Sequence, residues 1–96
     1  MTEEQDVEAN RIKKLKMRSM RRGIKEMDII LSDFANVALD SMDTEALDLY
    51  EQLLEENDQD LYQWVSGQAA PKEIYDTLIN QVKSQNLILN QGLIMN

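Results

Sequence analysis

The side chains best suited to binding chemistry lie in the stretch RRGIKEMD, residues 21–28, which combines two arginines, a glycine and two acids. Arg22 and Glu26 are four positions apart, so on a helix they share a face and can form an ion pair worth about 0.2–0.5 kcal/mol. Gly23 costs about 1 kcal/mol relative to alanine inside a helix. It therefore either lies between two helices with a positive φ, or allows a close approach to its backbone. Both explanations fit a turn at which a partner docks.

Catalysis by this chain alone is not expected. The sequence contains no cysteine and no histidine, which excludes thiol catalysis and thiolate metal sites and removes the commonest general base. The acidic stretch ENDQD, residues 56–60, lacks the glycine and the distal glutamate of a calcium-binding loop. We therefore expect a protein that is not an enzyme and has no metal site.

The first residues, MTEEQDVEAN, are acidic and polar. They resemble neither a signal peptide nor a transit peptide. No stretch approaches about 18 consecutive apolar residues, so we expect no membrane insertion. The predicted location is the compartment of synthesis, with the cytoplasm of a bacterium as the simplest case.

The elements that position residues 21–28 are predicted to be helices, because apolar residues recur at helical spacing and no useful strand pattern occurs. The prediction is an all-α fold, a compact bundle of about five short helices, with the first over residues 5–20. One domain is expected over residues 1–84. The predicted core contains Ile24, Met27, Leu31, Leu47, Leu54, Trp64, Leu78 and Val82.

Capping residues predict where the helices begin and end. Two starts have alternative caps, Ser41 or Asp43 for the third helix and Asn57 or Asp58 for the fourth, because each side chain can accept a hydrogen bond from a free backbone N–H. Gly67 is predicted to end the fourth helix.

Two further predictions concern the faces of helices. Pro71 fits the first turn of the fifth helix, where its missing N–H costs nothing, and Ile74 is then expected on the inner face. In the second helix, Asp28, Ser32 and Asp33 are expected to point away from the core.

The apolar C-terminal tail, residues 85–96, is uncharged and is interrupted by a glycine. Two interpretations remain open. It is either a frayed or flexible extension of the last helix, or a segment that docks on its own domain or on a neighbouring copy.

Charge is strongly sorted along the chain. Residues 11–25 hold eight of the ten cations and no acid, whereas residues 26–60 hold twelve acids and no cation. Such an asymmetry can orient a partner. The alternative is a basic face whose charges, such as Lys13 and Lys16, pair with acidic helices of the same fold.

RRGIKEMD resembles the RGxxE signature of the succinate dehydrogenase assembly factor 2 (SdhE) family. The resemblance continues through LYEQLLEENDQDLYQWVSGQAAP, residues 49–71, which has the family's leucine-rich acidic helix, D-x-D-L stretch, tryptophan and proline. It covers residues 10–84. The order and spacing of these features make it much more specific than RGxxE alone.

The resemblance implies a helical protein that binds the flavoprotein subunit of succinate dehydrogenase and promotes covalent attachment of FAD, with fumarate reductase flavoproteins as further clients. In that family the bond joins a client histidine to the flavin's 8α-methyl carbon, so the resemblance implies that FAD belongs to the client and that this chain holds no cofactor stably. Carried over by position, Arg22, Gly23 and Glu26 form the motif, with Arg21 and Asp28 as flanks. These residues are expected to be exposed and to bind the partner.

The free protein is expected to be a monomer that binds no nucleic acid, since its pI is about 4.4 and no aromatic residue lies near the cations. The alternative function is a small regulatory or scaffold module whose basic helix binds an acidic protein or a nucleic acid.

Overall fold

Five α-helices follow one another along the chain. The structure is a computed structural model that describes the backbone of residues 3–95, and the side chains of residue 7 and residues 9–85. The helices are α1 (Glu3–Ser19), α2 (Lys25–Ala38), α3 (Thr44–Leu54), α4 (Asp58–Ser66) and α5 (Asp76–Met95), with 3₁₀ turns at Leu39–Ser41 and Glu73–Tyr75. The described residues contain no strand. The predicted all-α fold of five helices is confirmed.

α2 is the central helix. It packs against α1, α4 and α5, because its buried residues recur every three or four positions. Seven of the eight predicted core residues are buried, and Ile24 is half-buried against the same core. The buried apolar side chains are Leu15, Met27, Leu31, Phe34, Ala35, Leu39, Leu47, Tyr50, Leu53, Leu54, Leu61, Trp64, Val65, Tyr75, Leu78, Ile79 and Val82.

The structure decides between the alternative caps. Asp43 accepts a hydrogen bond from the backbone N–H of Ala46 at 2.8 Å, which caps α3. Asn57 accepts from the backbone N–H of Gln59 at 2.8 Å, which caps α4. Gly67 ends α4 with a φ of 83°, the left-handed conformation that glycine adopts without a steric penalty.

The predicted start of the last helix is wrong. Pro71 precedes a 3₁₀ turn that begins at Glu73, and α5 itself begins at Asp76. The tighter turn directs Tyr75 into the core with 1% of its surface exposed, whereas Ile74 is 51% exposed. The physical reason is that three residues per turn, in place of 3.6, change which side chain faces inward.

The predicted outer face of α2 is also wrong in part. Asp28, Ser32 and Asp33 are half-buried, and the Ser32 hydroxyl donates to the backbone oxygen of Ser19 at 3.5 Å. A helix that is packed on several sides covers more of its circumference than one apolar stripe indicates.

The backbone of α5 continues to Met95. The side chains from residue 86 onward, and the whole of Asn96, lie outside the described residues. Both interpretations of the apolar tail therefore stay predictions.

Candidate functional site

The motif turn, residues 20–24, connects α1 to α2. Its first residues continue α1 with a tight turn, since the N–H of Met20 donates to the oxygen of Met17 at 3.1 Å. Gly23 lies between the two helices, as one of the predictions required. Its φ is not in the left-handed region, however, because among the described residues Gly67 is the glycine with a positive φ. Conformational freedom is therefore not the reason for this glycine.

A close approach explains Gly23. Its backbone N–H donates to Oδ2 of Asp58 at 2.6 Å. A Cβ atom at position 23 would lie 2.9 Å from that same oxygen, closer than real Cβ atoms come to their neighbours. The approach comes from inside the chain, from a residue 35 positions later. A side chain at position 23 would have to displace this carboxylate, which is itself bonded to Arg22, so glycine fits the contact best.

The same carboxylate holds Arg22. Its Nε and Nη2 both lie 2.6 Å from Oδ1 of Asp58. Nη1 donates to the backbone oxygen of Leu54 at 2.7 Å, and Nη2 donates to that of Glu56 at 3.0 Å. All three guanidinium nitrogens are therefore bonded to the segment that joins α3 to α4.

These contacts form the Asp58 clasp, defined as Arg22, Gly23 and Asp58. Leu54 is the last residue of α3, so Arg22 satisfies a carbonyl that the helix end leaves free. Asp58 is the first residue of α4, where the helix dipole favours a negative charge. The clasp joins the motif turn to the α3–α4 turn and fixes the position of both.

The expected exposure of the motif is wrong for Arg22. Its side chain is 11% exposed and that of Asp58 is 20% exposed, so the pair is mostly removed from water. The predicted ion pair between Arg22 and Glu26 does not form, because the guanidinium is fully used by the clasp. Asp58 was considered only as a cap. The unexplained cost of Gly23 was a signal that some group approached it, but nothing in one sequence identified which.

The other predicted site residues differ in their surroundings. Arg21 and Glu26 are exposed, with Glu26 in the first turn of α2. Neither has an opposite charge within 4.0 Å among the side chains that the structure describes. Asp28 is half-buried, and its Oδ1 is buried with no hydrogen-bond partner. The structure brings Arg21, Arg22 and Gly23 together in the motif turn and leaves Glu26 and Asp28 one turn further along.

A buried hydroxyl pair anchors the end of α1 just before the motif turn. The Ser19 hydroxyl donates to the oxygen of Leu15 at 2.8 Å, so the Tyr50 hydroxyl, 2.6 Å away, donates to Ser19. Burial raises the pKa of Tyr50 to about 12, and the hydrogen bond to Ser19 and the positive charges of Arg22 and Arg18 offset the effect only in part. α1 is thereby fixed to α3 at the level of the motif.

A second contact braces the α3–α4 turn. Glu56 accepts hydrogen bonds from Nζ of Lys72 at 2.8 Å and from the hydroxyl of Tyr75 at 3.0 Å. The bond from Lys72 lowers the pKa of Glu56 and raises the pKa of Lys72 in return. Burial and the bond to Glu56 raise the pKa of Tyr75. The turn that receives Arg22 is therefore held from its other side as well.

Half of the cations in residues 11–25 pair with acids of the same chain. Besides the clasp there are Arg11 with Asp48 at 2.6 Å, Lys16 with Asp40 at 3.1 Å and Arg18 with Glu55 at 3.1 Å. The pairing predicted for Lys16 is confirmed. Lys13 is exposed and lies more than 4.0 Å from any acid whose side chain is described. These surface pairs add little stability, but they remove positive charge from the surface.

A groove lies beside the motif turn. Its lining, which we call the basic groove, consists of Lys14, Met17, Arg18, Arg21 and Arg22, and its volume is about 430 Å³. It therefore carries two residues of the predicted site, Arg21 and Arg22, together with three residues of α1. Sequence reasoning did not identify Lys14 or Met17 as part of a site.

The described residues contain no group of three or more acids or other ligands arranged to hold a metal ion. None of the helices, as far as they are described, combines the length and the apolar character needed to cross a membrane. The fold and the motif turn define a small all-helical protein, in which an internal clasp supports exposed charged residues.

The comparison with known families agrees with this class. Residues 13–86 match the Sdh5 family, described as flavinator of succinate dehydrogenase. The chain belongs to this family, which confirms the family resemblance and the expected class of assembly factor rather than enzyme.

Three curated relatives show how far the similarity extends. Each is named succinate dehydrogenase assembly factor 2, mitochondrial. The Aspergillus terreus protein is 47% identical over 60 residues, which cover 62% of this chain and 20% of the relative. The Schizosaccharomyces pombe protein is 42% identical over 60 residues, covering 62% of this chain and 43% of the relative. The Candida glabrata protein is 52% identical over 48 residues, which cover 50% of this chain and 31% of the relative. The chain thus spans less than half the length of these relatives.

Proposed function

We propose that this chain binds the flavoprotein subunit of succinate dehydrogenase and promotes the covalent attachment of FAD to that subunit. Membership of the Sdh5 family and the names of the curated relatives support the proposal. The observation that carries it in the structure is the Asp58 clasp. In the clasp, Arg22 and Gly23 form hydrogen bonds within the chain. Arg21 and Glu26, on either side of them in the sequence, stay exposed at the surface.

The roles of the motif residues then divide. Arg21 and Glu26 contact the partner, because they are exposed and uncompensated among the described side chains. Arg22 and Gly23 act as positioning residues that fix the turn through Asp58. Asp28 has a buried acceptor, Oδ1, with no hydrogen-bond partner. A donor of the partner protein could reach this atom only if the residues that cover it moved.

The mechanism is conformational. A partner that binds one arrangement of the flavoprotein more tightly raises the population of that arrangement. If the favoured arrangement brings flavin and client histidine into reactive geometry, the bond between them forms faster. A preformed binding surface loses little entropy on docking, which is the advantage of a turn fixed by buried hydrogen bonds.

FAD is assigned to the client, and the flavoprotein of fumarate reductase is a further proposed client. The free chain is proposed to be a monomer. Its location in a bacterial cytoplasm stays a prediction from the sequence, since the curated relatives are named as mitochondrial proteins.

The test is reconstitution with purified components. The apo-flavoprotein subunit is incubated with FAD, with and without this chain, and covalent flavin is read as in-gel fluorescence after denaturation. We expect the chain to increase the rate of attachment. Glu26→Ala should remove most of that increase, whereas Glu45→Ala should not. Glu45 is a matched control because it is an exposed acid in the first turn of α3, as Glu26 is in α2.

Equal rates with and without the wild-type chain, for the flavoproteins of both succinate dehydrogenase and fumarate reductase, would refute the proposed function. A rate increase that Glu26→Ala leaves unchanged would keep the function and move the contact surface away from this part of α2.

A further inference from the structure

The basic groove differs from the rest of the surface in its charge. Two of its four cations are neutralised within the chain, Arg18 by Glu55 and Arg22 by Asp58. The other two, Lys14 and Arg21, have no acid within 4.0 Å among the described side chains. The groove is therefore positive in a chain whose formal net charge is -8.

The groove also has an apolar element. Met17 lines it and is 44% exposed, and along the chain it lies between Lys14 and Arg21. Methionine adapts its shape to an incoming apolar group, because it is unbranched and has three rotatable bonds. An occupant that fits this lining has negative charges at its ends and an apolar side chain between them.

The groove has a direction and a length. Lys14, Met17 and Arg18 lie on the last two turns of α1, and Arg21 follows in the motif turn. The helical part of the groove, from Lys14 to Ser19, rises by about 7.5 Å, and the turn to Arg21 lengthens it to roughly the span of three extended residues of a partner. The groove ends at Arg21 and so is continuous with the motif turn.

We propose that the basic groove is a docking site for an acidic segment of the flavoprotein partner, one with an apolar side chain between its carboxylates. This inference rests on the proposed function and extends it from the motif turn along α1. Lys14 and Arg21 bind the carboxylates, and Met17 contacts the apolar side chain. Charge complementarity selects the segment and accelerates its encounter with the groove.

A nucleic acid fits this groove less well than an acidic peptide. No aromatic residue lines it for base stacking. Among the side chains that the structure describes, two of its cations lack an acid partner, whereas affinity for a phosphate backbone grows with the number of phosphates neutralised.

The experiment measures the affinity of the full chain for the purified flavoprotein subunit. Lys14→Glu reverses a charge inside the groove, and Lys13→Glu makes the same change in net charge one residue away and outside the groove. We expect Lys14→Glu to raise the Kd about tenfold and Lys13→Glu to raise it less than threefold. Raising the NaCl concentration from about 0.05 to about 0.5 M should weaken the wild-type complex more than the Lys14→Glu complex. Salt screens the attraction between Lys14 and the partner's carboxylates, and the variant lacks that attraction.

A second pair of variants tests the apolar contact. Met17→Ala should weaken the complex several-fold, and Ile74→Ala, which shortens an exposed apolar residue outside both the groove and the motif turn, should not. A photo-crosslinking residue at position 17 should attach to a peptide of the flavoprotein that contains at least two acids within about 10 Å of the attachment point. Thermal unfolding of each variant checks that it is folded.

The outcomes separate the two proposals. No binding of the wild-type chain to the flavoprotein would overturn both. Binding with equal affinity for Lys14→Glu and Lys13→Glu, or crosslinking from position 17 to a segment without acids, would overturn the inference alone. Binding to duplex DNA or RNA that Lys14→Glu abolishes, with unchanged affinity for the flavoprotein, would assign the groove to nucleic acid and also overturn it.

Discussion

The backbone N–H of Gly23 lies 2.6 Å from Oδ2 of Asp58, and a Cβ atom on Gly23 would lie 2.9 Å from that oxygen. The hydrogen bond and the steric exclusion thus depend on the same atom. Because Oδ1 of Asp58 is held by Arg22, the carboxylate has little freedom to turn away. The arginine and the glycine of RGxxE are in this way two parts of one internal contact.

Gly23→Ala should destabilise the fold by about 1–2 kcal/mol, because the added methyl group displaces the carboxylate and weakens its bonds to Gly23 and Arg22. The measurement is the free energy of unfolding in urea. In an Asp58→Ala background the same substitution should cost much less, since the atom that the methyl group meets is gone. Equal costs in the two backgrounds would show that the contact with Asp58 is not the reason for glycine.

Arg22→Ala should cost about 3 kcal/mol, because it leaves Oδ1 of Asp58 and two backbone oxygens without their partners in a mostly buried position. Arg22→Lys should recover only part of the loss, since an ammonium group cannot reach all three acceptors at once. The matched control is Arg18→Ala, which removes an exposed pair with Glu55 and should cost less than about 1 kcal/mol. Similar unfolding curves for Arg22→Ala and Arg18→Ala would contradict the clasp.

Arg21→Ala should separate binding from folding. Arg21 is exposed and has no charged partner among the described side chains, so its removal should change the free energy of unfolding by less than about 0.5 kcal/mol. Covalent flavin on the client should nevertheless fall strongly in cells that carry this variant as their only copy. Lys13→Ala, an exposed cation of α1 outside the groove, is the control and should retain wild-type flavin fluorescence. A large loss of stability in Arg21→Ala would mean that the residue supports the fold instead.

Tyr50 should make stability depend on pH in the alkaline range. Burial raises the pKa of Tyr50 to about 12 in the folded chain, whereas an unfolded tyrosine has a pKa near 10. The stabilising contribution is complete below pH 10 and is lost as the pH rises toward 12, because the unfolded chain then binds fewer protons than the folded one. Unfolding in urea between pH 9 and 11 should show a smaller fall in Tyr50→Phe than in the wild type. Comparison of Tyr50→Phe with the wild type is needed because the pKa of Tyr75 is also raised, so Tyr75 adds to the loss of stability at alkaline pH in both proteins.

Nucleic acid binding should be negligible at physiological salt, because four of the eight cations of residues 11–25 already pair with acids of the chain. Fluorescence anisotropy with labelled duplex DNA and RNA tests this. Specific binding that falls steeply with salt would favour the alternative function, a regulatory or scaffold module.

The helices and most of the core could be predicted from local patterns in the sequence. Met27, Leu31, Leu54 and Val82 recur at helical spacing, and this local periodicity is sufficient to predict which face of each helix is buried. The motif RGxxE and the missing cysteine and histidine also predict a site for binding, and this remains a prediction from the sequence. Such properties depend on residue type and on neighbours within one or two turns.

Local spacing was insufficient where a helix end or a second packing partner intervened. Ile74 is exposed because a 3₁₀ turn precedes α5. Asp28 is half-buried because α2 is the central helix and is covered on several sides. Asp43 and Ser41 were equal candidates as a cap until the chain path brought the carboxylate of Asp43 to the N–H of Ala46. Each result depends on backbone geometry that periodicity does not specify.

The roles of Arg22 and Gly23 depend on tertiary contacts that local sequence patterns do not reveal. Their partner, Asp58, is 36 positions from Arg22 and comes close because α3 packs beside α1 and α4 packs against α2. A charged side chain is expected at the surface unless it is paired, and one sequence does not reveal the pairing. The same folding leaves Lys14 and Arg21 without an acid within 4.0 Å among the described side chains, although neighbouring cations of α1 are paired. Whether a cation is neutralised depends on the distance between it and the nearest acid, because the attraction between two charges falls with their separation. For acids far away in the sequence, packing of the helices sets this distance.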